Sequence, residues 1–418
     1  MKKRLDNPRP ATTPHAAAIS VVRHLQAAGH VALFAGGCVR DMVMKKQPSD
    51  YDVATSAEPR EVVRLFRRTQ QVGAKFGVVL VRIGRHAIEV ATFRRDVNYQ
   101  DGRHPTAVQF TDAREDAIRR DFTINGMFYD PIKREVVDYV EGRADLKKKV
   151  VRAIGDPAQR FAEDHLRLLR AIRFAGRLDF EIDPATWAAI RANAPKIIDI
   201  SPERIREELD AMLSHPSRAR AFRLIVESGL LPHLWPRAKD IAASTLMSRD
   251  ILAALPAEAS FDLALTAILH TLRPFEAGEV CDNLRCSNQT KRTVSWLLAH
   301  LTDLDEPKRV TLADLKLLMA DPAFPDLLRL LAARLEAAGL PPTAYKKIST
   351  RAKRIPPTAV APPPLVSGTD LMRLGQKPGP LYKKVLDRVY YAQLNGDVKK
   401  KSEAMALARR VVDEVKSK

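Results

Sequence analysis

Two glycines and two aspartates, all within seventeen residues, are the positions of this sequence best suited to chemistry. Gly36 and Gly37 follow an apolar run, and without a Cβ they let backbone N–H groups approach a bulky anion. Arg40, in the short helix that follows, adds a positive charge there. Asp50 and Asp52 are two positions apart, so on a strand both face one side and can hold divalent cations. Together these residues predict metal-dependent handling of a nucleotide phosphate.

Neither the glycine pair nor the aspartate pair is a specific signal alone. Short helices and strands must bring the two pairs together. We expect a helix over 14–29, a buried strand before the glycines, and a β-hairpin formed by 77–83 and 86–93. Glu89 lies on the second hairpin strand. It could complete a carboxylate cluster with the aspartates, although a solvent-facing glutamate is the favoured interpretation. The polar, turn-rich residues 94–105 predict a mobile loop beside the site.

A purely helical region is predicted from about residue 150 onward. Its first long helix starts near 155–157 and has an apolar stripe at steps of three and four, formed by Phe161, His165, Leu168, Ile172 and Ala175. Asp164, Arg167 and Arg170 span about 120° of one side of the helix, whereas Arg173 lies beyond that side. Asp164 and Arg167 can therefore present an acceptor and a forked donor together. From this helix alone, an ion pair on a solvated face is the favoured interpretation.

Charge and composition favour a nucleic-acid partner. The 418 residues carry a formal net charge of +19, and a chain this basic generally meets a polyanion. Hydrophobic residues make up 45% of the chain and aromatic residues only 6%, which favours a largely helical protein with ample buried core. Basic clusters at 346–354 and 399–401, with a proline-rich linker after the first, favour contacts with an RNA backbone. The alternative is a merely basic soluble protein.

Cysteine usage and hydropathy predict a reducing, cytoplasmic setting without a membrane partner. Cys38, Cys281 and Cys286 lack the spacing of a disulfide framework or of a Cys-x-x-Cys metal site. The basic residues at the N-terminus are not followed by an apolar core, so no signal peptide is expected. No run of 18 apolar residues that could span a bilayer occurs.

Four motifs, in one unbroken order over roughly residues 30–235, closely resemble those of the class II tRNA nucleotidyltransferase and bacterial poly(A) polymerase family. They are Gly36–Asp41 with Asp50–Asp52, Arg119–Asn125, Glu163–Arg170, and Glu203–Arg206. The tail around Gly368–Leu371 and Lys377–Pro380 also looks like that of the CCA-adding members.

The resemblance implies an α+β N-terminal nucleotidyltransferase head, with a small mixed sheet and helices, followed by an all-α neck, body and tail. The expected domains are a catalytic head over 14–145, a base-recognising neck over 146–212, a helical body over 213–345, and a basic, proline-rich linker with an RNA-binding helical tail over 346–418.

The resemblance also assigns roles around the phosphates. Asp50 and Asp52 would be the catalytic residues and would hold two magnesium ions, while Gly36, Gly37 and Arg40 would contact the triphosphate. The residues expected to contact ribose and phosphate are Arg120, Asp121 and Asn125.

Base recognition is assigned to the helical region. Asp164 and Arg167 would read the edge of the incoming base, with Arg170 and Arg173 in support. An acceptor beside a two-pronged donor can pair with the amino and ring-nitrogen edge shared by C and A, and it rejects G and U. The segment 94–105 resembles the family's flexible loop, which is associated with switching from C to A.

The expected activity is template-independent transfer of CMP and AMP from CTP and ATP to the 3′ end of tRNA, which builds or repairs the CCA end; no DNA partner is expected. Within the class, a poly(A) polymerase or an enzyme adding only CC or only A is the alternative. A non-catalytic RNA-binding protein on the same scaffold is an alternative of another class. A third, an enzyme that nucleotidylates a small molecule, is disfavoured by the basic charge and the long helical region.

The sequence departs from the family pattern at three places. His165 stands where proline is usual, and Gly126 where many relatives carry alanine. Some bacterial relatives have a His-Asp phosphohydrolase domain; here His270 is followed by Thr271, so no phosphatase activity is expected.

Overall fold

The computed structural model describes residues 13–71, 77–100, 104–235, 238–373 and 379–416. These residues fall into two compact units. The first extends to residue 239 and includes 283–285, and the second comprises 240–282 and 286–418.

All the strands of the described residues lie in the first unit. They are β1 (Ala32–Ala35), β2 (Asp52–Thr55), β3 (Thr69–Gln71), β4 (Val78–Ile83), β5 (His86–Thr92), β6 (Arg94–Gln100), β7 (His104–Phe110), β8 (Phe128–Asp130), β9 (Glu135–Val137), β10 (Val150–Val151) and β11 (Glu181–Ile182). Seven of them form one sheet in the order β3-β4-β5-β2-β1-β8-β9. Within this sheet β2 and β5 pair in parallel and the other neighbouring strands pair antiparallel, so the small mixed sheet predicted for the head is confirmed.

The first unit also contains eleven helices of the described chain. They are α1 (Pro14–Ala27), α2 (Gly37–Val43), α3 (Pro59–Leu65), α4 (Ala113–Ile118), α5 (Gly142–Lys148), α6 (Pro157–Glu163), α7 (Arg167–Leu178), α8 (Pro184–Asn193), α9 (Pro202–Leu213), α10 (Arg218–Glu227) and α11 (Leu231–Leu234). Short 3₁₀ segments lie at Thr123–Asn125 and Ala194–Asp199.

Helices cover both faces of the main sheet. Helix α1 buries the predicted apolar stripe, which includes Val21, Val22 and Leu25, against one face. On the other face, Leu33 and Ala54 pack with Ala117 of α4. This alternation follows from the two-residue period of a strand, and it decides which side of the sheet carries each polar residue.

The segment 94–105, predicted to be an irregular loop, instead contributes to an antiparallel hairpin of β6 and β7. Its register pairs Arg94 with Phe110 and Val97 with Ala107. β-Branched and aromatic residues are interspersed among its polar residues, and such residues favour strands. Counting polar and turn-forming residues therefore hid the strand pattern; the predicted mobility stays a prediction.

The helix predicted to start near 155–157 is also interrupted. Helix α6 ends at Glu163 and α7 begins at Arg167, with Asp164 in an extended conformation at φ −148° between them. The Asp164 carboxylate accepts a hydrogen bond from the Leu166 backbone N–H at 3.1 Å, a local contact that competes with helix continuation. The prediction of one continuous helix through Asp164 was wrong.

The second unit is helical throughout its described residues. Its helices are α12 (Ala238–Ala242, at the division between the units), α13 (Thr245–Ala254), α14 (Phe261–Ile268), α15 (Pro274–Asn283), α16 (Asn288–Ala299), α17 (Leu312–Met319), α18 (Phe324–Ala337), α19 (Thr343–Lys353), α20 (Pro357–Val360), α21 (Gly368–Arg373), α22 (Pro380–Asn395) and α23 (Lys401–Lys416). The tail buries its own core, in which Leu371, Val385, Val389 and Val411 take part.

The α+β head followed by a helical remainder is thus confirmed, apart from the short parallel pair of β10 and β11 in the expected neck. The four-domain division stays a prediction. Within the described ranges, no helix is long and apolar enough to cross a membrane.

Candidate active site

One cleft of the first unit, with a volume of about 550 Å³, gathers nearly all the residues that the sequence analysis selected. Its walls include Gly36, Gly37, Arg40, Asp50, Asp52, Arg120, Asp121, Asn125, Asp164, Arg167 and Arg170. Further lining residues are Asp41, Ser49, Arg119, Phe174 and Arg177, so arginine and aspartate make up most of the lining. Arg173 is the one predicted nucleotide-binding residue outside this set.

The glycine turn connects β1 to α2 at the cleft wall. Gly36 has φ +73°, a left-handed conformation that side chains other than glycine rarely adopt. A Cβ on Gly36 would also lie 3.3 Å from Nη1 of Arg120. As the N-cap of α2, Gly36 offers no side chain to the first N–H groups of the helix, which leaves them for another acceptor.

The two predicted metal ligands flank a residue that faces the opposite way. Tyr51 is buried, with its ring 5.5 Å from that of Phe34, whereas Asp50 and Asp52 line the cleft. Asp52 begins β2 and lies opposite Ala35, the residue that precedes the glycine turn. The acids therefore lie beside the glycines, as predicted, although Asp50 precedes the strand instead of belonging to it.

Burial, together with the charges of Glu89 and Asp50, raises the pKa of Asp52 to about 6, against the opposing effect of Arg120. The parallel register that pairs Val53 with Val90 aligns Asp52 with Glu89 on the neighbouring strand. Glu89 is exposed and does not line the cleft. Its carboxylate nevertheless contributes negative charge near Asp52. The sequence analysis had left open whether Glu89 belongs to the carboxylate cluster.

The donor set fits magnesium ions that also bind substrate phosphates. Across the described residues, no group of three or more His, Cys, Asp or Glu side chains is arranged to hold a metal ion. Magnesium commonly uses one or two carboxylates together with phosphate oxygens and waters, and Asp50 and Asp52 supply such a pair. A cation beside Asp52 would offset the repulsion that raises its pKa.

A buried carboxylate that the sequence analysis missed holds the two arginines of the second motif. Asp116 is 1% exposed, and its oxygens accept from Arg119 at 2.7 and 2.9 Å and from Arg120 at 2.9 and 3.2 Å. The available signal was the spacing, because an acid three and four residues before two arginines on a helix can reach both.

Asp121 and Asn125 connect the second motif to two further arginines. One oxygen of Asp121 accepts from Nη2 and Nε of Arg170, at 2.6 and 2.9 Å. Asn125 donates to the other oxygen at 3.3 Å and accepts from Nη1 of Arg40 at 3.0 Å. Although burial acts in the opposite direction, the charge and hydrogen bonds of Arg170 hold the pKa of Asp121 below its usual range.

Asp164 and Arg167 both line the cleft, but each is held by other residues. The second Asp164 oxygen accepts from Arg204 at 2.9 Å. Arg167 donates to Glu163 at 2.7 Å and to the backbone oxygen of Arg119 at 3.2 Å. The break between α6 and α7, and not one helical face, thus places the acceptor and the donor together.

Arg173 lies behind the cleft wall. Its Nε is 3.0 Å from the buried carboxylate of Glu208, and its guanidinium lies 4.8 Å from the ring centroid of Phe174. Arg40 and Arg170 approach the same ring at 5.5 and 5.4 Å. Phe174, which the sequence analysis did not select, therefore packs against three guanidinium groups.

The two sequence departures near the site fit their surroundings. A Cβ on Gly126 would lie 2.7 Å from Cγ2 of Val140 and 2.9 Å from Cδ1 of Ile154, so these neighbours leave little room for alanine. His165 is buried between α6 and α7, where burial lowers its pKa.

The fold and this cleft are those of a nucleotidyltransferase, and comparisons with known proteins agree. A family model described as "Poly A polymerase head domain" matches residues 32–152. The model "Probable RNA and SrmB- binding site of polymerase A" matches 179–241, and a model for tRNA nucleotidyltransferase domain 2 matches 259–408.

Curated relatives and solved structures narrow the class. The chain is 32% identical over 395 residues to the CCA-adding enzyme of Geobacillus stearothermophilus, covering 93% of this chain and 95% of that protein. It is 41% identical over 218 residues to that of Bacillus velezensis, covering 52% and 55%. The crystal structure of the Bacillus stearothermophilus CCA-adding enzyme in complex with CTP matches with a TM-score of 0.80 at 29% identity, over 98% of this chain and 100% of that one. The chain belongs to the CCA-adding enzyme family.

A more distant structure shares the fold. The Thermotoga maritima CCA-adding enzyme complexed with tRNA matches with a TM-score of 0.67 at 20% identity, over 99% of this chain and 97% of that one.

Proposed function

We propose that this protein transfers CMP and AMP from CTP and ATP to the 3′ end of tRNA without a nucleic-acid template, and so builds or repairs the CCA end. The observation that carries the proposal is the single cleft in which Asp50, Asp52, the glycine turn and the pair Asp164 and Arg167 meet. Membership of the CCA-adding family supports the choice of substrates. We place the reaction in the cytoplasm, where tRNA is matured.

Asp50 and Asp52 would hold two magnesium ions. When bound there, the ions supply the positive charge that lowers the pKa of the RNA 3′-hydroxyl and offsets the charge of the triphosphate and of departing pyrophosphate. The new bond joins the RNA 3′-oxygen to the α-phosphorus, and the bond from that phosphorus to pyrophosphate breaks. The two aspartates contribute position and charge, since no covalent enzyme intermediate is needed.

The glycine turn and the arginines near it would bind the triphosphate. Backbone N–H groups at Gly37 and the start of α2 can approach phosphate oxygens closely, because no Cβ intervenes. Arg40 and Arg120 add full charges on the same wall of the cleft. Asp121 and Asn125 would hold these arginines and Arg170 in place and present their remaining polar atoms to the ribose.

Asp164 and Arg167 would select the base. The Asp164 carboxylate can accept from the exocyclic amino group of C or A, while an N–H of Arg167 donates to the adjacent ring nitrogen. U and G present a carbonyl oxygen and a ring N–H at these positions. The carbonyl oxygen would face the Asp164 carboxylate, an acceptor, and the ring N–H would face the Arg167 guanidinium, a donor. Arg170 and Arg173 would support this face through Asp121, Glu208 and the ring of Phe174.

The tRNA would also contact basic surface on the second unit. A groove of about 490 Å³ there is lined by Lys308, Lys346, Lys347 and Arg351. Arg351 donates to the backbone oxygens of Pro307 and Val310, so it also fixes the shape of this groove. The lysines are the better candidates for phosphate contacts.

The test is extension of tRNA transcripts that lack CCA, lack CA, or lack only the terminal A. With CTP alone we expect two C additions to the first transcript and one to the second; with ATP alone, one A on the third. Both nucleotides together should complete every transcript. Long A tails would indicate the poly(A) polymerase alternative, and addition of only CC or only A would indicate a partial enzyme. Nucleotide-independent RNA binding with no extension would indicate the non-catalytic alternative.

A further inference from the structure

The buried carboxylate of Asp116 accepts hydrogen bonds from three residues around the cleft, two through their side chains and one through its backbone N–H, without lining the cleft itself. Oδ1 accepts from Nε and Nη2 of Arg119 at 2.9 and 2.7 Å, and from the backbone N–H of Arg94 at 3.2 Å. Oδ2 accepts from Nε and Nη2 of Arg120 at 3.2 and 2.9 Å. Five donor contacts on one residue that is 1% exposed fix its orientation.

Each donor leads to a different part of the site. Arg120 is the guanidinium nearest the glycine turn, where its Nη1 would lie 3.3 Å from a Cβ on Gly36, and the same atom donates to the Asn125 backbone oxygen at 3.4 Å. The backbone oxygen of Arg119 accepts from Nη2 of Arg167 at 3.2 Å. Arg94 is the first residue of β6, at the base of the hairpin.

We propose that Asp116 is a positioning residue for both nucleotide affinity and base selection, because its single negative charge sets the Arg120 guanidinium toward the phosphates and the Arg119 backbone toward Arg167. The proposal rests on the function proposed above and adds a residue to it. Asp116 also anchors the hairpin base through Arg94, so it joins three structural elements at one carboxylate.

The negative charge is what matters, since an amide of the same shape cannot serve all these donors. In asparagine one oxygen becomes an NH₂ group, which would face guanidinium N–H groups instead of accepting from them. Despite its burial, the charges and hydrogen bonds of Arg120 and Arg119 hold the pKa of Asp116 below its usual range, so the group stays ionised at neutral pH. Asp116→Asn should therefore release at least one guanidinium.

The experiment compares the full-length wild type, Asp116→Asn, and the control Glu115→Gln, which removes a neighbouring carboxylate on the same helix. Equilibrium CTP binding and the ratio of CTP to UTP incorporation into a tRNA transcript are measured on protein whose folded fraction is fixed by its thermal unfolding curve. We expect Asp116→Asn to weaken CTP binding and lower the incorporation ratio roughly tenfold or more each, the loss expected for a charged hydrogen bond. Glu115→Gln should change neither quantity by more than about twofold.

A second variant separates the effect of Asp116 on nucleotide affinity, through Arg120, from its effect on base selection, through Arg119. In Arg119→Gln the contact between Asp116 and Arg120 remains, so the incorporation ratio should fall by a larger factor than CTP affinity, on the same reasoning about charged hydrogen bonds. If Asp116→Asn only lowers the active fraction, with unchanged CTP affinity and unchanged selectivity, the residue is merely structural and the proposal is wrong. A wild type that binds CTP but adds no nucleotide would overturn the proposed function; unchanged CTP binding in Asp116→Asn would then overturn this proposal as well.

Discussion

Arg170 directs both its Nε and its Nη2 at a single carboxylate oxygen of Asp121, at 2.9 and 2.6 Å. The contact joins the segment after α4 to helix α7 across the cleft, and Asp121 is 8% exposed. Since the other Asp121 oxygen accepts from the Phe122 N–H and from Asn125, the carboxylate also orders the turn that presents Asn125. One acid thus connects the phosphate-facing and base-facing walls.

Asp121→Ala should lower the free energy of unfolding by about 2–4 kcal/mol, because it leaves the partly buried Arg170 without its main counter-charge. Urea denaturation measures this change. Glu227→Ala is the control; it breaks the exposed Arg223–Glu227 pair, at 3.3 Å, and should cost less than about 0.5 kcal/mol. Equal costs for both variants would show that the pair does not join the two walls in solution.

The two glycines should respond differently to alanine. In Gly36→Ala the left-handed backbone and the close approach to Arg120 should cost about 1–2 kcal/mol of stability. In Gly37→Ala the new Cβ would only make ordinary contact, 3.7 Å from Nη2 of Arg40, within a helix that prefers alanine to glycine.

Gly37→Ala should therefore fold at least as stably as the wild type and yet bind CTP more weakly, since a methyl group would stand where phosphate oxygens approach the backbone. Thermal unfolding and equilibrium CTP binding, measured on the same samples, check both halves of this prediction. Full CTP affinity in Gly37→Ala would place the triphosphate elsewhere.

Arg167→Ala should weaken the selection of CTP over UTP. Removal of the guanidinium takes away the donor expected to read the ring nitrogen, so the preference for CTP over UTP should fall by about 10–100-fold, the usual value of a good base-edge contact. Competition between the two nucleotides on one tRNA transcript measures it. Arg191→Ala, at an exposed position on α8, is the control and should leave the preference unchanged. An unchanged preference in Arg167→Ala would show that Arg167 does not read the base.

The raised pKa of Asp52 predicts a pH-dependent stability cost. In the folded protein its pKa is about 6, above the usual aspartate value of 3.8. Protonated Asp52 carries no such cost, so stability is highest below pH 3.8. Stability then falls as the pH rises through about 6 and the buried carboxyl group loses its proton. In metal-free buffer, the stability of Asp52→Asn relative to the wild type should rise between these pH values and then level off.

Glu89→Gln tests the cause of that shift. It removes a neighbouring negative charge and so lowers the pKa of Asp52 in the folded protein. When Asp52→Asn is compared with its parent in this background, the rise should therefore be smaller and should level off at a lower pH. Thermal unfolding midpoints across the pH range measure both effects. A stability difference that does not depend on pH would contradict the raised pKa. A rise of unchanged size that levels off at the same pH would exclude Glu89 as a contributor.

Local patterns predicted the hairpin of β4 and β5 and the closeness of the glycine turn to the two acids, whereas the head fold and most roles in the cleft came from the family resemblance. The alternation rule put Asp50 and Asp52 on one side, and both line the cleft, although Asp50 lies just before β2. The burial of Val21 and Leu25 on α1 likewise follows from helical spacing.

Features that depend on tertiary contacts were not predictable in this way. Helical periodicity could not reveal the break at Asp164, because the hydrogen bond to Arg204, forty positions away, is a contact between distant segments. The hairpin of β6 and β7 was concealed by its polar composition. The spacing of Asp116 to Arg119 and Arg120 was a local signal that went unused, whereas its contact with Arg94, twenty-two positions away at the base of that hairpin, lay beyond any local pattern.

The most direct test replaces both acids of the cleft. With a tRNA transcript ending in CC, ATP and magnesium, the double variant Asp50→Ala, Asp52→Ala should lose at least about 1,000-fold of the rate of A addition, as expected when charge stabilisation of phosphoryl transfer is removed. Its affinity for the transcript and its cooperative unfolding should be retained. A double variant that adds A at the wild-type rate would contradict the assignment of this cleft as the catalytic centre.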